Sequence, residues 1–284
     1  MKKKILLPTD FSKNAWNAIV YAIELYKNEA CDFYVLNTFS TTGYALESMM
    51  VPEPGERLYE EAKEKSEIGL AKTLERLTFR DDNPDHKFFI VSQFNSLLDG
   101  IKDLIDKKDI ELVVMGTKGD TDAATIVYGS NTVLIMEKVR NCPVLAIPNE
   151  ASFQEPKEIV FPTDFKTSFK RRELQYLIEI AKINNAAIRI LHISESDELT
   201  EEQQGNKQLL EENFENLEYS FHTLHNVDVR SGLSAFVESR ESDMITFVNR
   251  KHSFFGSMFS KPMVKNLGYH SKVPVLALHD FQIN

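Results

Sequence analysis

Short apolar runs alternate along the first half of the chain with longer stretches whose apolar residues recur every three or four positions. Lys3 to Leu7 is a short β-prone run ended by Pro8-Thr9-Asp10, and residues 12–28 then carry Ala15, Ala18, Ile19, Ala22, Ile23 and Tyr26 at helical spacing. Phe33 to Thr38 predicts a second strand. A loop, Phe39 to Gly55, precedes a charged amphipathic helix from about Glu56 to Leu77. Lys87 to Ser92 reads as a third strand, and Leu97 to Lys107 as a helix with Leu98, Ile101, Leu104 and Ile105 on one face. Ile110 to Met115 is a fourth strand, Val133 to Val139 a helix, and Val144 to Ile147 a fifth strand. Strands that alternate with helices argue for an α/β fold, a parallel sheet covered on both faces.

The pattern then begins again. Ile5-Leu-Leu-Pro-Thr-Asp-Phe11 recurs as Ile159-Val-Phe-Pro-Thr-Asp-Phe165, and Cys142-Pro-Val-Leu-Ala-Ile147 as Val273-Pro-Val-Leu-Ala-Leu278. Between these anchors Tyr34–Asn37 aligns with Arg189–His192, and Glu111–Met115 with Asp243–Val248. A repeat this long exceeds any solenoid period, so a whole domain is duplicated. The first copy covers residues 1–150; the second covers 155–284, after the polar connector Asn149–Pro156.

Composition narrows the partners. The net charge of -10 over 284 residues disfavours nucleic acid, whose phosphates are bound by excess Lys and Arg. No apolar run approaches the length that spans a bilayer, and Ile5-Leu6-Leu7 is too short for a signal peptide. Two cysteines, Cys31 and Cys142, make neither a disulfide framework nor a metal site. A reducing cytoplasm is the expected location, with no membrane partner.

Candidate chemistry gathers behind the fourth strand. Gly116 and Gly119 follow it directly, and Gly129 precedes Ser130, Asn131 and Thr132 at a predicted helix start. Glycines let backbone approach an anion, and the free amides of a helix N-terminus point at negative charge. The spacing Gly-x2-Gly-x9-Gly-Ser is neither the P-loop nor the dinucleotide fingerprint. It resembles the ATP-binding signature of the universal stress protein family, and the resemblance extends over essentially the whole chain, twice. The family's fold is a doubly wound five-stranded parallel sheet in the order 3-2-1-4-5, so two tandem copies of it are expected. That order puts a crevice between strands 1 and 4, where ligands of open α/β sheets bind.

What the resemblance implies is an adenine nucleotide in the first domain. Pro8, Thr9 and Asp10 close strand one, and Met115 and Gly116 end strand four. Asp10 is an acceptor for the adenine amino group or ribose hydroxyls; its alternative role is an N-cap for the helix starting near Ser12. Thr38 matches a family position whose backbone reads the adenine edge. Ser130 and Thr132 reach phosphate by hydroxyl and amide, and Gly129 and Asn131 add amides. Lys118 balances phosphate charge, whereas Asp120 and Asp122 repel a triphosphate unless a divalent ion intervenes. ATP, ADP and AMP, with or without Mg, therefore stay open. Tyr44, Leu46, Met49, Met50 and Val51 read as packing of a long loop. His222 and His225 are spaced to share a helix face, with no third metal ligand evident.

The second copy keeps the frame and loses the motif. Asn249 and His252 align with Gly116 and Gly119, and Ser260 and Lys261 with Gly129 and Ser130. One nucleotide per chain is expected. The family's single-domain members dimerise through their last strands, so Val144–Ile147 and Val275–Leu278 are expected to pair within one chain; further homodimerisation is left undecided. The resemblance implies a nucleotide-dependent stress-response regulator; no general base, nucleophile or metal site is evident, so at most weak ATP hydrolysis is expected. The alternatives are a slow ATPase or related adenine-nucleotide α-hydrolase-like enzyme, and a protein-interaction scaffold.

Overall fold

The strands are apolar runs buried on both faces in the middle of the sheet and half-exposed runs at its two ends. In the computed structural model, which describes residues 2–40, 54–117, 130–196, 198–250 and 271–280, they are β1 (Lys3–Pro8), β2 (Cys31–Phe39), β3 (Lys87–Phe94), β4 (Leu112–Gly116) and β5 (Val144–Ile147). The second half repeats them as β6 (Glu158–Pro162), β7 (Ala187–Ser194), β8 (Tyr219–His225), β9 (Met244–Asn249) and β10 (Val275–His279). Helices α1 (Lys13–Leu25), α2 (Arg57–Arg80), α3 (Leu97–Lys108) and α4 (Ser130–Lys138) belong to the first half. Helices α5 (Arg171–Ile183), α6 (Glu201–Phe214) and α7 (Val229–Arg240) belong to the second.

The two expected sheets are one. The strand order is β3-β2-β1-β4-β5-β10-β9-β6-β7-β8, so each half has the order 3-2-1-4-5 and the fifth strands meet. Every ladder is parallel except that join, where Val275, Leu276 and Ala277 pair antiparallel with Ala146, Leu145 and Val144. The halves are thereby related by a local twofold, the internal pairing expected of the last strands. Alternation along each strand feeds two cores. Ile5, Leu7, Leu70, Leu177 and Phe214 lie on the face covered by α1, α2, α5 and α6; Leu6, Ile101, Met136 and Phe236 lie on the face of α3, α4 and α7.

Local signals set the helix ends. Ser12, Ser96, Thr200 and Asp228 each accept a hydrogen bond from an amide three residues on, starting α1, α3, α6 and α7. Backbone conformation repeats more faithfully than sequence. Phe11 and Phe165 have φ of 66° and 57°, and Asp109 and Glu241, which end α3 and α7, have 53° and 54°. His222 and His225 stand on a strand, not a helix, so their spacing sends them to opposite faces.

Side chains also tie the halves together. Lys3 of β1 pairs with Glu179 of α5 at 2.6 Å and lies 4.9 Å from the Tyr176 ring. The connector is held as well: Tyr21 meets its Phe153 edge-on, and Asn17 Nδ2 donates to its Ala151 carbonyl. At the far end of α4, Arg140 donates to the Asn249 carbonyl, and the Asn249 side chain donates to that of Met136.

Candidate functional site

In the first half the strand order reverses between β1 and β4, which pair through Ile5–Leu112 and Leu6–Val113. Their carboxyl ends therefore open side by side. Beyond β1 the turn is fixed by its own polar groups. Thr9 N donates to the Leu36 carbonyl, and Asn37 Nδ2 donates to the Thr9 carbonyl at 2.7 Å. Phe11 N donates to Thr9 Oγ1, and Ser12 N to Asp10 Oδ1 at 3.0 Å. The helix cap is Ser12, whose Oγ accepts from Ala15 N, so the capping role weighed for Asp10 is not the one it takes. A cap bonds amides two or three residues on; with α1 starting at Lys13, that position falls on Ser12. Asp10 instead closes an Asx-type turn and stands exposed at the mouth, above buried Pro8 and Thr9.

On the other side, buried Met115 and then Gly116 end β4. A Cβ at Gly116 would stand 2.9 Å from the Asn14 carbonyl oxygen. This glycine is thus required by the close approach of the first turn of α1 to β4, a reason in packing that the motif does not reveal. Thr132, in the first turn of α4, is buried and donates its hydroxyl to the Gly116 carbonyl at 2.9 Å. That proton is committed to the protein, where phosphate had been the expected acceptor; the hydroxyl fastens the helix start to the strand end. Asn131 is exposed beside it. Thr38 lies one strand further out, its methyl against α3, where a Cβ on Gly100 would meet it at 2.7 Å.

The structure therefore gathers Pro8, Thr9, Asp10, Met115, Gly116, Asn131 and Thr132 at one end of β1 and β4, with Thr38 at the end of β2. Ser130 is the first residue of α4. Lys118, Gly119, Asp120, Asp122 and Gly129 lie outside the described residues, as do Tyr44, Leu46, Met49, Met50 and Val51. Asn14, Asn37 and the left-handed Phe11 are further parts of the site. Asn37 alone had a signal, being a polar residue in the apolar run of β2 and aligned with His192, whose Nδ1 contacts the Thr163 carbonyl at 3.0 Å.

The second half repeats these strand ends with different residues on them. The ladders pair Ile5 with Leu112 and Ile159 with Met244, so Val248 occupies the position of Gly116, and Asn249 that of Thr117. The alignment of Asn249 with Gly116 is thus one residue off, because six residues were set against five with no anchor between. Val248 has room because α5 starts only at Arg171, so no first turn presses on it. Phe165 is buried, and Gln203 and Asn206 of α6 donate to the carbonyls of Asp164 and Phe165. Burial pushes the Asp164 carboxyl up, against the hydrogen bond from Lys166 N. Arg250 folds back over the Phe169 ring, donating to the Ser168 carbonyl at 2.7 Å and to buried Glu173 at 2.9 Å.

Among the described residues no cluster of His, Cys, Asp or Glu is arranged to hold a metal, and no helix is long and apolar enough to cross a membrane. No curated protein matches the sequence. Solved structures share the architecture at full length. A universal stress protein from Archaeoglobus fulgidus DSM 4304 superposes with a TM-score of 0.67 at 18% identity, covering 97% of this chain and 98% of that one. A putative universal stress protein from Pseudomonas aeruginosa UCBPP-PA14 gives 0.60 at 12%, covering 98% and 93%. The cytoplasmic domain of a prokaryotic cation chloride cotransporter gives 0.51 at 10%, covering 99% and 96%. At such identities these likenesses speak for the fold alone. The sequence model of the universal stress protein family, however, matches residues 1–148, more than half of the chain, and on that match the chain belongs to the universal stress protein family.

Proposed function

We propose that the first half binds one adenine nucleotide, ATP, ADP or AMP, as a regulatory or structural ligand of a cytoplasmic stress-response protein. The observation that carries this reading is the meeting, where the strand order reverses, of an exposed carboxylate, Asp10, with the N-terminus of α4. These are two unlike recognition elements. A carboxylate accepts from ribose hydroxyls or an adenine amino group, whereas helix-start amides attract phosphate. The donor set fits a nucleotide. Asp10 and the end of β2 at Thr38 would hold the nucleoside, and the amides of Ser130, Asn131 and Thr132 the phosphates. Thr132 acts through its amide, because its hydroxyl holds Gly116. The nucleotide would supply charge and a base-shaped filling for the crevice; this chain's residues bind and orient it.

Calorimetric titration with ATP, ADP and AMP tests the reading, with hydrolysis assayed on the same samples to separate a ligand from a substrate. Gly129→Val is expected to abolish binding while circular dichroism stays that of the folded chain. Unchanged affinity in a folded variant would place the site elsewhere.

A further inference from the structure

Pairing β5 with β10 uses up one edge of each half and leaves β3 and β8 as the ends of the sheet. An open edge presents a row of unpaired N–H and C=O groups, a template for another strand. The two ends are treated differently. Along β8 charge is laid on the edge: Arg189 reaches across to Ser220 Oγ and Glu218, and Lys207 Nζ lies 4.5 Å from the Phe221 ring. On β3, Phe88-Phe89-Ile90-Val91 is an unbroken apolar run with no Pro or Gly, and the strand's only charge is Lys87 at its start. Phe89 and Ile90 are each 40% exposed and Phe94 is 37% exposed. Phe89, stacked on Tyr34, and Ile90, next in the strand, face opposite sides of the sheet, so the edge is apolar on both.

We infer that β3 is a docking edge for a second copy of this chain. The two β3 strands pair antiparallel about a twofold axis beside Ile90 and double the ten-stranded sheet. Self-pairing suits this strand because its partners come out matched. With Ile90 against Ile90, Phe89 meets Val91 and Lys87 meets Gln93 of the other copy. Gln93 already donates to Asp103, which also pairs with Lys107 at 2.8 Å, so the one charged residue of the edge is delivered to a carboxylate. Parallel pairing would set Lys87 against Lys87, like charges directly opposed. The twofold axis normal to the sheet keeps each face with its own kind, so the two cores continue across the join.

Sedimentation velocity across a concentration series tests this on the full chain. The unaltered protein is expected to reach a dimer. Ile90→Lys, which sets two ammonium groups face to face, is expected to lose it with an unchanged circular dichroism spectrum; Thr223→Lys on β8 is expected to keep it. Ile90→Cys is expected to give a covalent dimer on oxidation, since the native Cys31 and Cys142 are buried. A chain that stays monomeric, a dimer that survives Ile90→Lys, or one lost in Thr223→Lys would overturn the assignment.

Discussion

Two strand crossings of one design stand in the same sheet, and the described residues at their ends differ. In the first half the turn after β1 leaves Asp10 exposed, and β4 ends in a glycine that lets α1 press close. In the second half the same turn, with the same left-handed phenylalanine, is roofed by α6, β9 carries Val248 where β4 has Gly116, and Arg250 folds back onto Phe169 and Glu173. The two halves thus differ in more than their glycines: the carbonyls of Asp164 and Phe165 accept from Gln203 and Asn206 of α6.

The sharpest break of this comparison is Arg250→Met. It leaves buried Glu173 without its cation, and removing one partner of a buried pair costs about 3 kcal/mol or more. The urea midpoint should fall while the nucleotide affinity of the first half stays put. Glu173→Gln added to it should restore part of the loss, because the orphaned charge goes with it. Gly116→Val comes next. Its Cβ meets backbone, which cannot swing away as a side chain can, so about 2–3 kcal/mol of overpacking is expected in the same assay. Val248, in the other half, shows that the position tolerates bulk once the first turn of the helix is absent.

Acid separates the halves in another way. Where β1 begins with lysines, β6 begins with Glu158. Burial alone would raise its carboxyl, but hydrogen bonds from Arg240, Arg189 and Ser242 prevail and hold it down at about 2. That stabilisation is complete above the ordinary carboxylate value and is lost as pH falls from there towards about 2. Allowing for solvent at the pair, it is on the order of 2 kcal/mol. The second half should therefore loosen first on acidification, seen as earlier amide exchange in β6 and β7. Glu158→Gln should remove that part of the pH dependence. The smallest effect is expected from Asp10→Asn, about tenfold weaker nucleotide binding or ~1.4 kcal/mol, measured by equilibrium dialysis with a stoichiometry of one. Asp164→Asn should leave both numbers unchanged.

How much of this was legible beforehand follows the range of the interactions. Strands buried on both faces must be continuous apolar runs, and the edge strand β3 carries one as well, so all five of the first half could be read; the recurring Pro-Thr-Asp-Phe exposed the duplication. The meeting of β5 with β10 was anticipated too, through the family resemblance. The residue-level match of β4 to β9 was not, because hydrophobic runs carry no internal mark; only the ladder partners of Ile5 and Ile159 set it. Site details failed for a related reason. Asn14 and Gly116, or Thr132 and Gly116, are far apart in sequence, and no local pattern announces that one explains the other. A motif marks where glycines stand, while packing partners decide what each is for.

Among the described residues the backbone join between the halves is three paired positions of β5 and β10, with both apolar cores continuing across it and the Lys3–Glu179 pair beside it. As a contact between separate molecules so short a seam would depend on concentration. Within one chain the connector supplies an effective concentration in the millimolar range, and a modest seam then suffices. The same covalent link releases the halves from identity. In an assembly of identical subunits every substitution appears twice, so a pair such as Arg250–Glu173 would stand in both copies. A chain that carries its own partner can change one crossing and keep the other on an otherwise symmetric body.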